Sequence, residues 1–92
     1  MCSQHNDLLA RAKAGEALAR NELIDSFRPF ILKVAAKFCN RRLDWRNDEE
    51  LSVAMMAFNE AIDTFDPNQG AAWSSYAYLV INRRLTDYVR KE

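Results

Sequence analysis

Apolar side chains return every three or four positions through the middle of the chain: Ile24, Phe27, Ile31, Val34 and Phe38, with Leu23 and Ala35 beside them. This is one stripe of an amphipathic helix. Pro29 falls inside it, and a proline that lacks an N–H and crowds the preceding turn predicts either a kink or a break at Phe27–Arg28, with Pro29 opening a new helix. The apolar phase continues across it, so both pieces face one core. Upstream, Asn6 or Asp7 reads as the N-cap of a short helix through Leu8, Leu9 and Ala12 that ends at Gly15. Residues 40–47 lose the period and read as a connection. Asp48 then reads as an N-cap, with Glu49 and Glu50 in the first turn and a stripe of Leu51, Ala54, Met55, Phe58, Ala61, Ile62 and Phe65 behind it. Asp66, Pro67, Asn68, Gln69 and Gly70 form the clearest turn in the chain. From about Ala72 a last helix buries Trp73, Tyr76, Ala77, Val80, Ile81, Leu85 and Tyr88. No strand alternation competes with these patterns. The expected architecture is all-α: one compact helical bundle of four to five helices, with segments 1–15, 16–42, 48–65 and 72–91.

Composition agrees with this reading and narrows the function. In 92 residues, 49% apolar and 28% charged, there are only 2 Gly and 2 Pro, as few long helices require. The core of so small a domain is a few side chains per helix. No apolar run approaches the ~18 residues of a membrane span, and the opening MCSQHND lacks the order of a signal peptide, so the chain reads as cytoplasmic. Cys2 and Cys39 with the single His5 make no metal spacing and read as reduced thiols. No nucleophile elbow, phosphate-cradling glycine loop or paired metal-binding histidines occur, and Asp63 and Asp66 read as a solvated helix end. The chain is expected to be no enzyme and to hold no metal or cofactor.

Charge changes the picture more. The formal net charge is zero, yet residues 1–47 hold nine Lys/Arg against five Asp/Glu, residues 48–70 hold six acids and no base, and residues 71–92 hold four bases against two acids. Sign is segregated along the chain. On the third helix Glu49, Ser52, Val53, Met56, Asn59, Glu60 and Asp63 share a second face, acidic with Val53 and Met56 embedded in it, and apolar groups rimmed by charge suit a partner surface. On the last helix Trp73, Tyr76 and Tyr78 precede Asn82, Arg83, Thr86 and Arg90, which reach a shared outer face. Aromatic rings stack on unpaired bases, and Arg, Asn and Thr bond phosphates or base edges. The plainer reading keeps Trp73 and Tyr76 as core.

The order of these segments is recognisable. DEELSVAMMAFNEAIDTFDPNQGAAWSSYAYLVINRRLTDYVRKE, residues 48–92, resembles conserved region 2 of the sigma-70 family of bacterial transcription initiation factors. The likeness lies in an acidic start, a helix ending AIDTFDP, a Gly, and an aromatic-Ser-Ser-Tyr-Ala segment entering a basic helix. AGEALARNELIDSFRPFILKVAAKFC is similar to the family's first helices, so the likeness extends over about residues 8–92. DEELSVAMMAFNEAID and INRRLTDYVRKE look most like the sigma-I group, which membrane-anchored anti-sigma factors hold inactive. The resemblance implies that the acidic helix docks on the clamp helices of the RNA polymerase β′ subunit through Glu49, Ser52, Val53, Met56 and Asn59. It also implies that the last helix opens promoter DNA at the minus-ten element: Trp73 and Tyr76 line a pocket for a flipped base, and Arg83 and Thr86 read the upstream pair; Asn82 and Arg90, placed on the same outer face by their spacing, and Leu79, at the wedge position, are the other expected DNA-binding residues. Further expected partners are the polymerase core, promoter DNA and the N-terminal cytoplasmic domain of an anti-sigma factor.

Two departures qualify the resemblance. Ser52-Val53 stands where housekeeping factors carry a Gln-Glu pair, implying weaker polymerase affinity, and Leu79-Val80 replaces their tandem Trp wedge, implying weaker melting and strict promoter dependence. A rival remains in AMMAFNEAIDTFDPNQGAAW, which looks like the second helix of a tetratricopeptide repeat in a peptide-binding adaptor. Such repeats recur every 34 residues, and stepping back from Pro67 lands on Lys33 in mid-helix without a second copy. A generic helix-turn-helix DNA binder is a third reading, opposed by the proline-interrupted link at 66–70. A sigma factor also needs a second DNA-contacting domain, so the chain is expected to be an isolated module.

Overall fold

Two left-handed residues set the corners of the first half of the bundle. In the computed structural model, which describes residues 2–44, 46, 48–66, 68, 70 and 72–91 (2–6 and 91 through their backbone only), Gly15 has φ 105° and Asn40 has φ 57°. At each, two N–H groups fold back onto the preceding helix: Gly15 and Glu16 onto the Ala12 and Arg11 carbonyls, Asn40 and Arg41 onto the Lys37 and Ala36 carbonyls. Both ends are Schellman closures, with the left-handed position filled by the two residue types that tolerate it best. They delimit α1 (Cys2–Lys13) and α2 (Ala17–Cys39), and α3 (Glu49–Thr64) and α4 (Trp73–Lys91) follow. The described residues contain four helices and no strand.

The apolar stripes fall where the periodicity puts them, with small differences. Leu23, Phe27, Ile31, Val34 and Ala35 of α2 are buried, and Ile24 and Phe38 are half-buried at the stripe's margins. On α3 the buried row is Leu51, Ala54, Ala57, Phe58, Ala61 and Ile62, continued by Phe65; Ala57 joins it and Met55 sits at its edge. On α4 Trp73, Ala77, Val80, Ile81 and Leu85 are buried, while Tyr76 and Tyr88 are half-buried. α3 packs most extensively on α4, α1 on α2, and α2 reaches both α3 and α4. The radius of gyration is 13.1 Å, close to the ~12 Å expected of a compact chain of this length.

Two expectations need correction, and of the two outcomes expected at Pro29 the break does not occur. The first helix begins at Cys2, ahead of Asn6 and Asp7; Asp7 lies within it and pairs with Arg11 one turn on, at 3.5 Å, instead of capping. α2 runs unbroken through Pro29. Pro29 is exposed, so the carbonyl it leaves without a donor lies on the solvent side, while the buried row on the opposite face holds both halves to one core. Asp48 occupies the N-cap position of α3 (φ −105°, ψ 115°) but makes no side-chain cap. Its carboxylate turns back to the connection, where Oδ2 accepts the Asp44 N–H at 2.6 Å and Oδ1 pairs with Arg41 at 3.0 Å. In the turn before α4, Gly70 has φ 84° as expected, and the Asn68 N–H bonds Asp66 Oδ1 at 2.9 Å. Pro67 and Gln69 of that turn, and Trp45 and Asn47 of the 40–47 connection, lie outside the described residues, as do the side chains of Cys2 and His5.

An interior proline on a solvated face carries a helix penalty with no packing in return. Pro29→Ala is expected to stabilise the domain by about 1–2 kcal/mol, a rise on the order of 5–10 °C in Tm. A thermal melt showing an unchanged or lower Tm would contradict this account of α2.

Candidate functional site

The α3–α4 pair carries both candidate surfaces, and an aromatic cluster fixes their relation. Trp73, at the first position of α4, lies 5.4 Å from the Phe58 ring, 5.4 Å from Phe65 and 6.2 Å from Phe27, centroid to centroid. Phe27 also meets Phe58 at 5.5 Å, and Phe65 meets Tyr76 at 5.4 Å. Only 8% of Trp73 is exposed, and its Nε1 is buried without a hydrogen-bond partner. A base cannot stack on a ring enclosed in this way. Trp73 therefore stands in the core, and Tyr76 is the half-exposed ring of the two, tethered through its hydroxyl to Thr64 Oγ1 at 2.7 Å.

The remaining α4 positions divide by exposure. Leu79 is 54% exposed while Val80 is buried, so only one of the two aliphatic neighbours faces outward. Thr86 is exposed but bonds back to the Asn82 carbonyl at 2.8 Å, and half-buried Asn82 donates to the Tyr78 carbonyl at 2.9 Å. Arg83 and Arg90 are exposed and, among the described residues, hold no ion pair. Among the described side chains of this helix, they are the cations without an ion pair.

On α3 the five candidates share the outer half of the helix but differ in freedom. Met56 is 72% exposed and Ser52 is exposed; Val53 is half-buried and packs against the core. Glu49 accepts the Tyr88 hydroxyl at 2.7 Å. Asn59 Oδ1 accepts Arg20 Nη1 at 2.6 Å, and the same guanidinium reaches Asp63 Oδ1 and the Ala12 carbonyl. Arg84 forks onto both oxygens of Glu60, with Nε to Oε1 at 2.8 Å. Arg41 spans Asp48 and Glu50. The acidic segment is thus largely answered by Arg20, Arg41 and Arg84 of the same chain. Periodicity could place Glu60 on a face but could not pair it with an arginine on another helix.

Among the described residues no group of three His, Cys, Asp or Glu side chains is placed to hold a metal, and no helix is long and apolar enough to cross a membrane. Burial, with Glu50 nearby, pushes the Cys39 thiol up from its ordinary range, which leaves it protonated at neutral pH.

Residues 23–92 match the Sigma-70 region 2 family. The chain is 48% identical over 85 residues to RNA polymerase sigma factor SigI6 of Acetivibrio thermocellus, covering 92% of this chain and 34% of that protein. It is 40% identical over 84 residues to SigI2 of the same organism, covering 91% of this chain and 32% of that protein. To SigI of Bacillus subtilis it is 42% identical over 73 residues, covering 79% and 29% respectively. The chain spans about a third of the length of these curated relatives.

The ion pairs of α3 predict an acid response. Asp48 is held below the usual carboxylate range by the Asp44 N–H and then by Arg41, and Glu60 by its hydrogen bonds from Arg84. A carboxyl with a depressed folded-state pKa contributes its full stabilisation above the unfolded value, about 4, and loses it as pH falls through the folded value. The Tm should therefore hold from neutral pH to about 5 and fall below that. Glu60→Gln should melt lower at neutral pH and lose part of the acid-induced drop. Equal drops in both proteins between pH 7 and pH 3 would count against these pairs.

Proposed function

The chain belongs to the Sigma-70 region 2 family, and on that premise we propose that it is the polymerase-docking and promoter-opening domain of an alternative sigma factor of the sigma-I type. The observation that carries this reading is the pairing of two unlike outer faces on the tightly packed α3 and α4. One presents Met56 among polar groups, and the other presents half-exposed Tyr76 and exposed Arg83, with Arg90 farther along α4 bordering the groove that it shares with Val53 and Met56.

In this reading α3 docks on the β′ clamp helices through Glu49, Ser52, Val53, Met56 and Asn59. Because most acids of the segment are already paired within the chain, docking depends on Met56 and a few polar contacts more than on bulk charge. Polymerase affinity below that of a factor with a Gln-Glu pair at Ser52-Val53 follows. On α4, Arg83 and Arg90 neutralise phosphates of the minus-ten element, Thr86 and Asn82 offer edge contacts, and Tyr76 supplies the stacking ring with Trp73 and Phe65 behind it. Unstacking a base costs a few kcal/mol, and one aromatic contact returns about 1–3 kcal/mol. With Leu79 as the only outward wedge residue the surplus is small, so opening depends strictly on a good promoter. Such a domain works in the cytoplasm, where polymerase and promoter are.

Paired variants test the two faces separately. Met56→Arg should weaken binding to polymerase core by about tenfold or more at unchanged Tm. Arg83→Ala should leave core binding intact, weaken capture of a single-stranded minus-ten oligonucleotide by the core complex, and reduce its salt slope by about one. Unchanged core binding in the first variant and unchanged DNA capture in the second would defeat the assignment.

An anti-sigma factor's cytoplasmic domain would silence the module by covering either face. Its addition to the labelled domain should shift amides of α3 or α4. Shifts confined to residues 16–38 would contradict occlusion.

A further inference from the structure

Ion pairing divides the cations of this chain into two sets. Arg11, Arg20, Arg28, Arg41 and Arg84 each hold a carboxylate, and Lys13 donates to the Asp63 carbonyl at 2.8 Å. Among the described side chains Lys33, Lys37, Arg42, Arg46, Arg83 and Arg90 hold none. The last two lie on the proposed promoter face. The other four cluster at the C-terminal end of α2 and in the connection after it, where neither proposed face uses them.

Lys33, Lys37 and Arg42 rim a groove whose floor is Leu32, Ala36 and Leu43; no α3 or α4 residue lines it. Leu43 is buried and Leu32 and Ala36 are half-buried, so the floor is apolar, whereas the three rim cations are exposed. Among the described residues no carboxylate forms an ion pair with Lys33, Lys37 or Arg42. The adjacent acids Asp48 and Glu50 are held by Arg41, and the Ala36 and Lys37 carbonyls at the helix end are taken by the N–H groups of Arg41 and Asn40. Unpaired cations on one helix face cost the folded domain some self-repulsion, and lysines four residues apart on a helix repel each other directly.

We propose that this groove binds an acidic amphipathic peptide segment of a protein partner, with one or two apolar side chains on the Leu32–Ala36–Leu43 floor and carboxylates against Lys33, Lys37 and Arg42. Charge complementarity selects an anionic partner and supplies orientation. The floor favours a peptide over nucleic acid, because it is aliphatic and offers no aromatic ring for a base to stack on, whereas the apolar side chains of an amphipathic peptide fill it.

The test is a titration of the ¹⁵N-labelled domain with three probes: a synthetic glutamate–leucine amphipathic peptide, polyglutamate of equal charge, and a single-stranded thymidine oligonucleotide. The amphipathic peptide should give saturable shifts centred on residues 32–43, with polyglutamate and the oligonucleotide each at least about fivefold weaker there. The triple variant K33E/K37E/R42E should raise the peptide's Kd at least about tenfold with a melt matching the parent's. The single variants K37E and R42E, each raising it about threefold, serve if the triple variant folds poorly. Equal binding of polyglutamate would reduce the groove to a charge patch, tighter binding of the oligonucleotide would make it a nucleic-acid surface, and absent or displaced shifts would remove it. Each of these overturns the proposal.

Discussion

Everything outward on α4 depends on what Trp73 does inward. One indole, placed at the first residue of that helix, meets rings from α2, α3 and the segment after α3 at once. Such edge-on contacts contribute about 0.5–1.5 kcal/mol each beyond area burial, and in a domain with so few core positions they decide which way α4 is rolled. The roll in turn puts Leu79, Arg83 and Arg90 outside and Val80 and Ile81 inside. The arrangement is not free of cost: the indole N–H is buried without a partner, a loss on the order of 1–3 kcal/mol. Packing of the ring outweighs that loss.

Charge follows a second logic. The sequence segregates sign into blocks, and the natural inference is an acidic helix waiting for a basic partner. The fold spends those acids internally. Arg20 and Arg41 from the first basic block and Arg84 from the last reach across to the α3 segment, so sign segregation along the chain becomes sign pairing in space. These partly exposed pairs add modest stability individually. Their larger effect is to change which charges remain visible to a partner: cations at the end of α2 and along α4, with little acid beside them.

What the sequence disclosed and what it withheld separate along one line. Faces of helices were legible because burial repeats with the helical period, so the stripes of α2, α3 and α4 could be read residue by residue. Gly15 and Gly70 were legible because a positive φ favours glycine. Asn40 carries the same signal in weaker form and was read only as the edge of a connection. Pro29 leaves both a kink and a break open because its penalty is local, while the reason α2 is unbroken, a continuous buried face, is tertiary. Asp48 misled, since a capping residue and a salt-bridging residue look identical until Arg41 is placed. The candidate site was legible as two faces but not as a set of available atoms. Trp73 and Tyr76 read alike, and only packing showed one enclosed and the other half-exposed.

Arg20 shows what such internal pairing means for the α3 face. Its guanidinium ties the Ala12 carbonyl of α1 to Asn59 and Asp63 of α3. Any partner that claims the Asn59 amide oxygen competes with that tie and loosens the hold on α1. By thermodynamic reciprocity, whatever steadies or releases α1 must then alter the affinity of the α3 face by the same free energy. The N-terminal helix, which carries none of the proposed contact residues, thereby becomes an adjustable load on one of the faces.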